Sequence, residues 1–221
     1  MLDDVSIRTD TVRPLGHRRA LPRRLAQLYL GLAVYGVSIT CFVRSDLGVM
    51  PWDVLHQGLA RHLGHSIGLW TVVVGGVVLL TWIPLRERPG LGTVSNVVVI
   101  GVAVDVALAL VPVQHALAVR IPLLAGGLLL NALATALYVG ARLGPGPRDG
   151  LMTGLVRRTG RSVRLVRTSI EGSAVAIGWL LGGTVGIGTV LYAVLIGFLV
   201  HPLLPRLRVP DAPPRTGTLA G

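Results

Sequence analysis

The sequence predicts an all-α polytopic membrane protein. Six transmembrane helices form two inverted three-helix repeats, each with a short amphipathic or re-entrant helix. Three observations predict this. The chain is 52% hydrophobic and only 14% charged, with mean hydropathy +0.68, a balance that water-soluble domains rarely show. Six apolar runs approach the roughly 20 residues that a bilayer-crossing helix needs. Finally, residues 27–105 align without a gap on 123–201, and at this offset of 96 residues 25 of the 79 positions are identical.

Residues 1–24 carry six arginines and no apolar core, so they read as a disordered or surface-lying cytoplasmic arm. The first span follows at 26–43. A cleaved signal is rejected there, because no small-residue cleavage site follows Phe42-Val43-Arg44 and the repeat pairs this run with one in mid-chain. The polar insert at 46–64, DLGVMPWDVLHQGLARHLG, comes next. Trp52, Leu55, Leu59 and Leu63 recur there at helical spacing. Pro51 fits the first turn, where its missing N–H costs nothing, and Asp53 fits the positive end of the helix dipole. The second and third spans are 67–85 and 93–112, joined by a tight turn at GLGTV, where Thr93 can cap the following helix.

The second unit repeats this order. Its spans are 121–140, 165–182 and 186–204. Its insert is RLGPGPRDGLMTGLVRRTG at 142–160, and its turn is GIGTV, with Thr189 as the cap. The first repeat therefore occupies 25–112 and the second 113–205, with a cytoplasmic tail at 206–221. Gly48, Pro51, Asp53, Gly58 and Gly64 return as Gly144, Pro147, Asp149, Gly154 and Gly160. Each insert reads as a helix lying at the membrane surface, since Arg61, His62, Arg157 and Arg158 would be costly at depth. The alternative is a re-entrant half-helix dipping toward the midplane. Three spans per unit is an odd number, so two tandem units must lie in opposite orientations. With the N-terminus in the cytoplasm, 18 of the 21 arginines fall inside and only Arg44, Arg61 and Arg120 outside, which places both termini in the cytoplasm. The same split accounts for the net charge of +11 without nucleic acid, because the arginines lie between apolar segments beside lipid head groups.

Ionisable groups inside spans are costly and are therefore functional candidates. Asp105, Glu171 and His201 are the candidates for a substrate or ion path, joined by Asp53 and Asp149 of the inserts. The competing reading of Glu171 is an ion pair with Arg167 one turn away. No catalytic, cofactor-binding or metal-ligating set emerges: there is no nucleophile elbow, no HExxH, and His56, His62 and His65 lack ligand spacing. Cys41, the only cysteine, sits in an apolar run as a packed small residue. Paired glycines such as Gly75-Gly76 and Gly126-Gly127 suit close helix packing.

The segments DLGVMPWDVLHQGL, GLGTVSNVVVIG, ARLGPGPRDGLM and GTVGIGTVLYA together resemble the YczE-like group of bacterial membrane proteins, usually grouped with YitT-type proteins. The resemblance covers residues 25–205 and implies a bacterial polytopic protein of the inner membrane, without naming a substrate. The expected function is a permease for a small solute, not an enzyme, with the lipid bilayer as its partner and a homo-oligomer compatible with it. The alternative is a non-transporting accessory or scaffold protein of a membrane-associated pathway.

Overall fold

The computed structural model describes residues 15–210, with side chains from Leu21 onward. These residues form eight helices and no strand: α1 (Leu15–Ser45), α2 (Pro51–Leu63), α3 (Ile67–Leu85), α4 (Leu91–Leu110), α5 (Leu117–Gly140), α6 (Pro147–Thr159), α7 (Val163–Leu180) and α8 (Ile187–Leu207). Five of them are long and apolar enough to cross a membrane: α1 from Leu21, α3, α4, α5 and α8. The sixth expected span, 165–182, is the exception. It corresponds to α7, whose 18 residues include Arg164, Arg167 and Glu171, so its apolar run is broken.

The helix starts and stops follow from local chemistry. Pro51 and Pro147 each open a helix at its first turn. Ser66 and Ser162, again 96 residues apart, cap α3 and α7: their hydroxyls accept from the N–H of Leu69 at 3.1 Å and of Leu165 at 3.3 Å. The first helix starts earlier than expected. It begins at Leu15, inside the segment 1–24 read as an arm, because its early turns are tied to other helices. Arg24 is buried and donates to the carbonyl of Pro210, and Gln27 donates to the carbonyls of Leu137 and Leu207 at 2.9 and 2.7 Å. The rest of the expected arm, 1–14, and the tail from 211 lie outside the described residues.

The core is built on α1, which packs against α4 and α5, while α5 packs in turn on α8. Leu28, Leu32, Ile39 and Phe42 of α1 are fully buried in it. Two glycines let α1 and α5 approach closely. A methyl group on Gly31 would meet the Tyr138 backbone at 2.9 Å, and one on Gly127 would meet the Cys41 Cβ at 3.0 Å. Gly76 and Gly126, expected to pack closely as well, face open space instead. The outer surface is apolar: Leu80, Ile83, Leu110, Leu180 and Phe198 are 64–80% exposed. Such a belt would drive aggregation in water and is at home against lipid tails.

The first two turns of the first insert helix are buried in the protein, and its C-terminal end is exposed. Pro51, Trp52, Asp53, Val54, His56, Gln57 and Gly58 of α2 are all buried, and the helix packs on α3 and α7. Gly58 and Gly178 permit this, since each backbone sits directly against the opposing one. Its counterpart α6 packs on α3 and α7 through Gly150 and Gly154. Gly150 lies flat against Trp82, whose indole N–H donates to the Pro147 carbonyl at 3.0 Å. The arginines that seemed too costly for such a position have carbonyl partners. Arg61 donates to the carbonyl of Gly182, and Arg157 to that of Leu85 at 2.7 Å, so both guanidinium groups satisfy the open C-terminal ends of α7 and α3.

Candidate functional site

Two matched clasps hold the centre of the molecule. The loop before α2 reaches the start of α8, and the loop before α6 reaches the start of α4. The N–H of Gly188 donates to the Leu47 carbonyl at 2.8 Å, and that of Gly92 to the Leu143 carbonyl at 2.8 Å. Thr189 donates its hydroxyl to the Val49 carbonyl at 2.7 Å, and Thr93 donates to the Pro145 carbonyl at 2.8 Å. Each hydroxyl also accepts from the glycine N–H that opens its own helix, Gly186 at 3.3 Å and Gly90 at 3.1 Å. The capping role read for the two threonines is present, with a second bond the sequence did not suggest. Gly48 and Gly144 adopt left-handed backbone at φ +108° and +132°. They lie so close to Gly186 and Gly90 that a methyl group on either would collide with the neighbouring helix start.

Between the clasps lies a cavity of about 450 Å³. Residues of α1, α2, α4, α5, α6, α7 and α8 line it. Its floor is aromatic, formed by Tyr35, Trp52, Tyr138 and Tyr192. Tyr35 and Tyr138 pack edge to face with ring centroids 6.2 Å apart. Its polar groups are Asn96, Arg148, Asp149, Arg167, Glu171 and His201. Three of the five residues expected on a path therefore line it: Glu171, His201 and Asp149. Arg167 and Glu171 form the expected ion pair at 3.0 Å and line the cavity together. Asp149 accepts from the Tyr138 hydroxyl at 3.2 Å.

Asp53 and Asp105 do other work. The side chain of Asp53 is fully buried behind Trp52. One oxygen lies 3.0 Å from His56 Nδ1, and the other has no protein partner among the described residues. His56 Nδ1 is also 3.3 Å from the Thr71 hydroxyl. Asp105 does not line the cavity. Its two oxygens accept from the Ser66 hydroxyl at 2.6 Å and the Gly68 N–H at 2.8 Å, fastening the start of α3 to α4. Gly68 and Gly101 allow the two helices to touch at this point. The equivalent pair α7 and α8 does not pack in this way: Gly197, the counterpart of Gly101, has open space around it, and residues of both helices line the cavity.

Arg148 is the residue that reading the sequence for charges inside spans passed over. Its guanidinium carbon lies 5.3 Å from the centre of the Trp52 ring. Position 148 is the repeat counterpart of position 52, so the two copies of one position touch across the middle of the protein. Burial opposes the charge of this guanidinium. Neighbouring Tyr35 and Asp53 more than offset that, so its pKa lies above the usual arginine value and it stays a cation. The available signal was the substitution itself, an arginine in one copy where the other has a tryptophan. Among the described residues no group of three or more His, Cys, Asp or Glu is placed to hold a metal ion.

An all-helical fold with an apolar outer belt, five helices of membrane-crossing length and an internal polar cavity defines a polytopic membrane protein. The comparisons with known proteins agree. The model of the family of unknown function DUF6198 matches residues 22–204, and the chain belongs to that family. It is 39% identical over 192 residues to an uncharacterized protein of Haemophilus influenzae, covering 86% of this chain and 88% of that one. It is 33% identical to the uncharacterized membrane protein YczE of Bacillus subtilis, covering 86% and 89%, and 27% identical to the uncharacterized protein YyaS of the same organism, covering 80% and 90%. The resemblance read from the four sequence segments is thus the family found. No solved structure matches the chain.

Proposed function

We propose that this protein is a permease for a small solute in the bacterial inner membrane, with both termini in the cytoplasm. In this reading α7 is the sixth span, with Arg167 and Glu171 on the cavity lining and Arg164 at its first turn, and the two units lie in opposite orientations. One observation carries the proposal. Both α7 and α8 line the cavity and Gly197 between them has open space, while the equivalent helices α3 and α4 are packed shut by Gly68, Gly101 and Asp105. A molecule made of two related units, open at one and closed at the other, has the asymmetry that alternating access requires. The orientation expected from the 18-to-3 arginine split has α6 and the start of α7 on the cytoplasmic side, and in this reading the cavity opens there.

Closing the cavity requires α8 to approach α7, and Gly197 leaves room for that approach. A cysteine pair replacing Ile170 and Gly197, on a background in which the native Cys41 is alanine, tests this in proteoliposomes. Oxidation is expected to arrest flux and reduction to restore it. Full cross-linking with undiminished flux, or no flux of any solute from a broad panel of small anions, cations and neutral molecules, refutes the proposal.

A further inference from the structure

Arg148 stands apart from every other charge in the cavity. Arg167 is neutralised by Glu171 at 3.0 Å, and Asp149 accepts from Tyr138. The Arg148 guanidinium has no ion pair or hydrogen bond among the described residues. Its contact is with the face of Trp52. Its N–H donors, none of them bonded to a described residue, are the fork that matches a carboxylate. The surrounding surface is aromatic: Tyr35, Tyr138 and Tyr192 stand with Trp52. We infer that the cavity binds a small organic monocarboxylate with a flat apolar body, its carboxylate on the edge of Arg148 and its body against the aromatic floor. The identification rests on the permease reading only for what binding leads to, since the site itself is complete without transport.

The charge count limits the ligand. Among the described residues lining the cavity, Arg148 is the one arginine with no carboxylate within ion-pair distance, and Asp149 and buried Asp53 already supply negative charge near it. The site therefore has room for one further negative charge on the Arg148 edge and not for several. A dianion such as phosphate would leave an uncompensated charge in a low-dielectric site, which is costly. A cation would have to sit beside the Arg148 guanidinium, which repels it. A volume of about 450 Å³ falls within the usual range for small-ligand pockets, and it is roughly three times the ~150 Å³ that a benzene ring fills, so it admits benzoate with room for water or for a larger body.

The test uses the full chain in lipid nanodiscs, with calorimetric titration of benzoate, its neutral isostere benzamide, the cation benzylamine, and inorganic phosphate. Benzoate is expected to bind at least about tenfold more tightly than the other three. Arg148→Gln is expected to lower benzoate affinity by about 10- to 100-fold and to leave benzamide binding within about threefold. Arg148→Lys, which keeps the charge and loses the fork, is expected to fall between. Benzoate and benzamide binding equally, phosphate or benzylamine binding best, no probe binding the wild type, or Arg148→Gln retaining full benzoate affinity each overturns the inference. The ligand series on the wild type keeps the test decisive if Arg148→Gln does not fold. Counterflow in proteoliposomes separates this inference from the permease reading. Benzoate bound through Arg148 but never moved, with no flux of any other solute, leaves the site standing and removes the permease. Movement of benzamide or benzylamine without benzoate binding does the reverse.

Discussion

Replacing Thr189 by valine keeps the shape of the side chain and removes its oxygen. That hydroxyl makes two bonds, one to the Val49 carbonyl at 2.7 Å and one from the Gly186 N–H at 3.3 Å. Val49 and Met50 are 1% and 0% exposed, so water cannot replace the lost donor at that carbonyl. Stranding a buried polar group costs about 1–3 kcal/mol, and the weaker Gly186 bond adds a few tenths, so about 2–3 kcal/mol is expected. Thr93→Val breaks the equivalent bonds, to Pro145 and Gly90, but the Pro145 residue is exposed and its carbonyl can find water. A smaller loss of about 1–2 kcal/mol is expected there. For a chain of this size each kcal/mol moves the melting temperature by about 2–4 °C. Thr189→Val should therefore melt about 4–12 °C below wild type in detergent, followed by tryptophan fluorescence, and Thr93→Val about 2–8 °C below. Thr→Ser at either site keeps both bonds and should stay within about 1 kcal/mol. The clasps share no partner, so the double valine variant should show the sum of the two losses. The reasoning is refuted if both valine variants melt with wild type, or if serine and valine behave alike.

Asp105→Asn exchanges a carboxylate with two accepted bonds for an amide with one acceptor oxygen, so a loss of about 1–2 kcal/mol is expected. Solute flux per folded molecule should be unchanged, and a flux defect at normal stability would return Asp105 to the path. Glu171→Gln breaks a pair whose Arg167 side chain is 54% exposed, so a stability change below about 0.5 kcal/mol is expected in thermal melts, with flux strongly reduced. Unchanged flux would remove Glu171 from the site. Gly48→Ala places a methyl group 2.7 Å from the Gly186 backbone at φ +108° and should cost about 2 kcal/mol or more, as strain and overpacking act together. Gly64→Ala also has positive φ, at +80°, but meets open space and should cost about half as much or less, so equal melting temperatures for the two variants would contradict the clasp geometry.

Much of the fold was legible because it rests on short-range chemistry. Pro51 and Pro147 mark helix starts, Thr93 and Thr189 cap, and the apolar runs have bilayer length. The offset of 96 residues also showed which positions are equivalent. It could not show which of them touch, because that depends on how the two units are placed against each other. The clasp from Leu47 to Gly188 and the stacking of Arg148 on Trp52 are facts of that placement. The place of Asp105 away from the cavity was not legible for a related reason. Charge inside an apolar run signals a cost that something must offset, and here a helix start offsets it instead of a ligand. The packing of α2 against α3 and α7 was not legible because it depends on distant partners, and exposed Arg61 shows this. The carbonyl of Gly182, distant in sequence, receives it.

The direction in which the clasps reach bears on how such a chain can be assembled. Neither loop closes on its own unit: Leu47 holds the start of α8, and Leu143 holds the start of α4. A chain of half this length, built on the same pattern, would carry a clasp with nothing of its own to grip. It would complete itself only on a second copy. The peptide between α4 and α5 is then a tether and not a structural element. Residues 1–112 and 115–221 made as separate chains would find each other and reassemble, whereas either one alone would be left with an open loop and an uncapped helix.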